Sequence, residues 1–179
     1  MKRTILTALV VIMLATSLAA ENFSEDQVKI KKTSWGVGFG IPYGILGSNV
    51  DYNVASNLDL SMGFGTTVLA GIGYNFGFKY HFAQPGVGFR PRVGAYYGVN
   101  AMVVKESPWG LIDEGESFTG LTLTVGGQWM WGNKKSNGLD FDLALIASTG
   151  LDVDKLNMQG YDVSEPGRIK ISVGYRHAF

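Results

Sequence analysis

The sequence predicts an all-β fold: eight antiparallel strands joined up-and-down and closed into a barrel, behind a cleaved leader. Three observations predict it. Apolar residues alternate with polar or small ones in eight successive segments, the period of a strand whose side chains point to opposite faces. Glycine is abundant, at 25 of 179 residues, while charged residues make up only 17%. That mix is too glycine-rich for a helical bundle and too apolar for disorder. Past the N-terminal leader, no stretch is long and apolar enough to cross a bilayer as a helix.

The leader comes first. Residues 1–20 carry Lys2 and Arg3, an apolar run from Ile5 to Leu14, then small residues with Ser17 and Ala19 at small-x-small spacing. This is the pattern of a secretory signal peptide, and the run falls short of the ~20 residues of a spanning helix. The remainder has no cysteine, which excludes a disulfide scaffold, thiolate metal sites and cysteine nucleophiles. The formal net charge is zero, so there is no polybasic case for a nucleic-acid partner.

In the first strand, "WGVGFGIPY" places Trp35, Val37, Phe39, Ile41 and Tyr43 on one face and Gly36, Gly38 and Gly40 on the other. The glycines lack the spacing and following helix of a nucleotide loop. Strand two sets Val50, Tyr52 and Val54 against Asn49, Asp51 and Asn53. Strand three sets Leu58, Leu60, Met62 and Phe64 against Asp59, Ser61, Gly63 and Gly65. Strand four alternates from Ala70 to Phe82, with Lys79 and His81 on its polar face. Strand five sets Val93, Ala95, Tyr97, Val99, Ala101 and Val103 against Arg90, Arg92, Tyr96, Asn100 and Met102. Strand six sets Leu121, Leu123, Val125, Trp129 and Trp131 against Thr122, Thr124, Gln128 and Met130. Strand seven sets Leu139, Phe141, Leu143 and Leu145 against Asp140, Asp142 and Ala144, and the tail Ile169–Phe179 is strand eight.

Eight such strands build either a soluble barrel or sandwich, apolar inside, or a membrane barrel, apolar outside. The strands reach the ~9–11 residues a tilted crossing needs. The polar face is too poor in Lys and Glu for a solvated surface. Aromatic residues gather near segment ends (Trp35, Tyr80, Phe82, Trp131, Phe141, Tyr175, Phe179), as interfacial girdles do. The reading is therefore a transmembrane barrel over residues 34–179, after a signal peptide at 1–20 and a short periplasmic segment at 21–33. Tight connections at 55–57, 83–87 and 132–138 are expected at the periplasmic end. Long ones at 105–117 and 149–166 are expected outside.

The polar face then lines the lumen. Asp51, Asp59, Lys79, Arg90, Arg92, Asp140, Asp142 and Arg176 all fall in the periplasmic half. Charges held there must pair, because an unpaired buried ion is costly. A salt-bridged plug is expected, with Asp140 and Asp142 answering Arg176. Above it, the glycines either leave a vestibule open outward or ease packing around Tyr96, Gln128 and Met130.

The last strand carries Ser172, Gly174, Tyr175, His177 and Phe179. It resembles the C-terminal assembly signal of bacterial outer-membrane barrels: a polar residue, then x-Gly-x-x-aromatic-x-aromatic, with His177 where an aromatic is usual. The mature chain as a whole resembles the small eight-stranded outer-membrane barrels typified by outer-membrane proteins A, X and W. The resemblance is one of architecture. It implies Sec-type export, insertion by the barrel assembly machinery, and residence in a Gram-negative outer membrane among its lipids and lipopolysaccharide.

No enzyme is expected. His81 and His177 both lie at the periplasmic end, and neither has a serine two residues away, whereas a base must reach its nucleophile. The acidic stretch "DVDKLNMQG" lacks the Gly and Glu of an EF-hand loop, so no metal or cofactor is expected either. Trp109, Leu111 and Ile112 are the apolar residues of the first long loop and are candidate contacts for a surface ligand. Two function classes follow for what is expected to be a monomer. One is a structural or surface-interaction barrel working through 105–117 and 149–166. The other is a narrow pore, or a binder or transporter of small apolar molecules.

Overall fold

A computed structural model describes residues 31–67, 70–106, 112–158 and 167–179. Residues 1–20 and most of 21–33 lie outside that set. Eight strands follow in chain order: β1 (Thr33–Gly40), β2 (Ile45–Ala55), β3 (Leu58–Thr66), β4 (Ile72–His81), β5 (Phe89–Glu106), β6 (Ile112–Trp131), β7 (Asn137–Ile146) and β8 (Ile169–Ala178). Each pairs antiparallel with its neighbour, and β8 pairs with β1 to close the barrel. Closure leaves no exposed sheet edge along the paired lengths.

The barrel is inside-out. Phe64 and Ile72 on the outer surface are each 66% exposed, while Lys79 and Arg176 inside are 0% exposed. The period-two pattern produces this directly, since each strand turns its apolar set outward and its polar set inward. Both described chain ends lie at the turn end, where Lys31 Nζ donates to the carbonyl of Ala178 at 2.9 Å and also bonds the Ser136 hydroxyl. The short turns between β2 and β3, β4 and β5, and β6 and β7 share that end. The other end is the loop end.

Three expectations are corrected. First, β1 stops at Gly40, and residues Ile41–Tyr43 form a single 3-10 turn that is buried. Ile41 and Tyr43 therefore face the lumen, not the outside: Ile41 is 3% exposed and Tyr43 0%. Gly40 (φ 109°) and Gly44 (φ 67°) take backbone angles that L side chains disfavour. Pro42 withdraws a ladder donor between them. The chain thus folds inward instead of carrying the strand on.

Second, the outward assignment of Val99, Ala101 and Val103 and the inward one of Met102 are reversed, Val99 being 1% exposed. Val99 pairs with Thr119 and Ala101 with Phe118, so Asn100 is the extra residue of a β-bulge. A bulge shifts the side-chain phase by one residue. Beyond it Ala101 and Val103 are buried and Met102 is exposed. Third, 105–117 is mostly strand, because β5 runs to Glu106 and β6 starts at Ile112. Its tip, with Trp109 and Leu111, lies outside the described residues, and Ile112 is the first residue of β6. In the other long connection, residues Val153–Met158 form one helix, α1.

Candidate functional site: the lumen

Register brings the inward charges together. Arg92 on β5 forks onto Asp142 of β7, its Nε donating to Oδ1 at 3.0 Å and Nη2 to Oδ2 at 2.7 Å. Its Nη1 donates to Asp140 Oδ1 at 3.1 Å. Arg176 on β8 takes the other oxygen of Asp140 through Nε at 2.6 Å. Arg176 Nη1 reaches Asp51 Oδ2 of β2 at 2.5 Å and Ser34 Oγ at 2.8 Å. Its Nη2 donates to Asn49 Oδ1 at 2.9 Å. Lys79 of β4 completes the set on Asp51 at 2.6 Å. The result is one chain of charges, Asp142–Arg92–Asp140–Arg176–Asp51–Lys79, crossing the lumen from wall to wall. Its three carboxylates and three cations balance.

Asp142 is held by Arg92, so the expected pairing of Asp142 with Arg176 is not the one formed; Asp140 alone answers Arg176. Asp59 and Arg90 sit apart, nearer the turn end. Asp59 contacts His81 Nε2 at 2.9 Å and accepts from Asn53 at 2.7 Å. Arg90 donates to the carbonyls of Ala83 and Ser56, each at 3.2 Å, which ties two adjacent turns together.

Above the charges, the glycines line no open vestibule: Tyr96, Gln128 and Met130 are buried, as the packing alternative expects, and a segment of backbone packs there as well. The glycines form a row across five neighbouring strands: Gly174 pairs with Gly38, Gly38 with Gly47, Gly47 with Gly65, and Gly65 with Gly73. Their inner face is bare backbone, and the 3-10 turn lies against it. A Cβ at Gly38 or Gly174 would meet the Tyr43 ring, one at Gly65 the Tyr43 carbonyl, and one at Gly63 that of Pro42. On the far side Ile41 packs with Tyr96 and Ala144. From this seat the Tyr43 hydroxyl donates to Asp140 Oδ2 at 3.0 Å. Tyr43, Asn49 and Ser34 thus join a site that charge placement alone did not include. Pro42 interrupting a strand pattern, with Gly44 just after it, was the readable signal for Tyr43.

The residues of β8 have structural tasks as well. Ser172 Oγ accepts from the Ile41 amide at 3.3 Å, and Gly174 makes room for Tyr43. The Tyr175 hydroxyl donates to Asn137 at 2.7 Å. His177 Nδ1 lies 2.8 Å from the same Asn137 oxygen, and its ring meets Phe179 edge-on at 5.2 Å. Among the described residues no cluster of His, Asp and Glu is arranged to hold a metal ion.

A closed, up-and-down, eight-stranded barrel with an apolar exterior and a salt-bridged interior is a barrel of the outer-membrane type. The N-terminal β-barrel domain of Pseudomonas aeruginosa OprF, known from its crystal structure, has a similar fold. The TM-score is 0.52, with 18% sequence identity over 83% of this chain and 98% of that domain. No family model matches the chain, and no curated protein matches it by sequence.

Proposed function

We propose that this chain is an integral barrel of a Gram-negative outer membrane, of the same broad kind as outer-membrane proteins A, X and W. In this reading it is exported by a Sec-type signal and inserted by the barrel assembly machinery through β8. It is not an enzyme. It serves as a rigid, sealed scaffold that presents its loop-end connections to lipopolysaccharide or to a surface partner. The loop end carries the β5–β6 hairpin, which outruns its neighbours, and the α1 connection; functional sites often ride on such projections from a rigid frame.

One observation carries the reading. The lumen is filled twice over, by the Asp142-to-Lys79 charge chain and by the inward turn at Ile41–Tyr43. An eight-stranded interior is only just wide enough for side chains. Here it also receives a segment of backbone, which supports a sealed scaffold over a pore. The test is planar-bilayer recording of the refolded mature chain. A silent bilayer, or rare brief events, is the expected result. A large, steady conductance would replace the scaffold by a pore.

A further inference from the structure

The turn-end mouth of the barrel carries more positive charge than its own carboxylates answer. A cavity of about 70 Å³ opens there between the N-terminal segment, the β4–β5 turn and the β6–β7 turn. Its cationic lining is Arg90, Lys31, Lys32, Lys134 and Lys135; its acids are Asp51 and Asp59. Both acids are already engaged, Asp51 by Lys79 and Arg176 and Asp59 by His81 and Asn53. Among the described residues, no carboxylate lies within salt-bridge distance of Arg90 or of the four lysines.

Two of the lining groups are built into the barrel. Arg90 is 8% exposed and Gln128 5%. Arg90 spends Nε and Nη2 on turn carbonyls, which fixes its guanidinium plane. Gln128, on the neighbouring strand and paired with Arg90 in register, contributes an amide beside it. A held guanidinium, an amide and a rim of flexible ammonium groups suit a compact oxyanion. Arginine offers directional paired donors, and lysine offers charge that adapts.

We propose that this mouth is a binding site for a phosphate group. Two sources share that chemistry: free inorganic phosphate, and the headgroup of an anionic phospholipid at the adjacent membrane surface. The headgroup source rests on the membrane orientation proposed above, in which the turn end meets the periplasmic leaflet. The site itself needs only the barrel and is testable without a bilayer.

The experiment uses the refolded chain in maltoside micelles free of phosphate. Inorganic phosphate is titrated at constant ionic strength against chloride, with the unfolding temperature as readout. A ligand that binds only the folded state raises it in a saturable way. Dioleoylphosphatidylglycerol is then added to the micelles in a parallel series. A saturable rise with inorganic phosphate supports the site and a soluble ligand. A rise with the lipid alone supports the site and a headgroup. In either arm Arg90→Gln should weaken binding about tenfold, the value of one charge-assisted contact. Because Arg90 also braces two turns, the turn pair Lys134→Gln and Lys135→Gln, the first exposed and the second half-buried, is the second variant; it should fold normally and lose severalfold in affinity. No rise beyond chloride in both series would overturn the proposal. So would binding that both variants leave unchanged.

Discussion

Asp140 accepts from three directions at once: Arg92 and Arg176 each take one of its oxygens, and the Tyr43 hydroxyl shares the second. It is the only carboxylate among the described residues that joins both arginines of the lumen chain. Asp142 answers Arg92 alone, and Asp51 answers Arg176 and Lys79. Neutralising Asp140 leaves two buried guanidinium groups with one fewer counter-charge, and breaking a buried pair from one side costs about 3–5 kcal/mol. Asp140→Asn should therefore lower the urea midpoint of the refolded barrel sharply. Asp59→Asn, which faces the more open turn end, should lower it much less. Equal midpoints for the two variants would mean that the central chain does not act as one unit. Replacing the whole chain by apolar residues is a different matter, because no stranded charge then remains.

At the scale of the element, the 3-10 turn and the glycine row require each other. Backbone takes the place of side chains inside β1–β4 and β8, so a Cβ added along the glycine row competes with Tyr43, Pro42 or Gly44 for the same volume. Gly174→Ala should destabilise the barrel by displacing the Tyr43 ring. In a Tyr43→Ala background the same change should be far milder, a coupling of about 0.5–3 kcal/mol. Simple additivity of the two changes would show that the turn does not occupy its seat in the membrane. This pairing also marks where the sequence stops being legible. Strand number, order and facing can be read from period two because each strand obeys it locally, from Asp59 through Phe64 or Leu139 through Leu145. The turn cannot be read so easily, since Ile41 and Tyr43 keep the period even after the chain has left the sheet. The bulge at Asn100 is silent for a related reason: Val99, Ala101 and Val103 continue the apolar alternation while the register slips beneath them. In the lumen, the charged residues were visible as inward-facing, but the partner of each depends on shear between distant strands. Thus Asp142 meets Arg92 across the lumen rather than Arg176 on the next strand.

For the whole molecule, closure and filling act together. The ladder runs without a break in strand order from β1 to β8 and back to β1, so detergent finds no sheet edge along it at which to begin separating strands. The apolar exterior, with residues such as Phe64, Ile72 and Ile171, is already what a detergent micelle covers; unlike a water-soluble core, it need not open to be solvated. The interior ion pairs are shielded from the detergent by the wall, and the inward turn resists collapse from within. Sodium dodecyl sulfate without heat should consequently coat the barrel and leave it folded. Boiling should open the ladder and expose the lumen charges to water. The refolded chain should run as a faster, compact band unboiled and as a slower band after boiling. Asp140→Asn should shift the conversion between the two to lower temperature, because the same charge chain braces the wall. A single band at one position under both conditions, from protein that remains soluble without detergent, would contradict a membrane barrel and return the fold to a water-soluble setting.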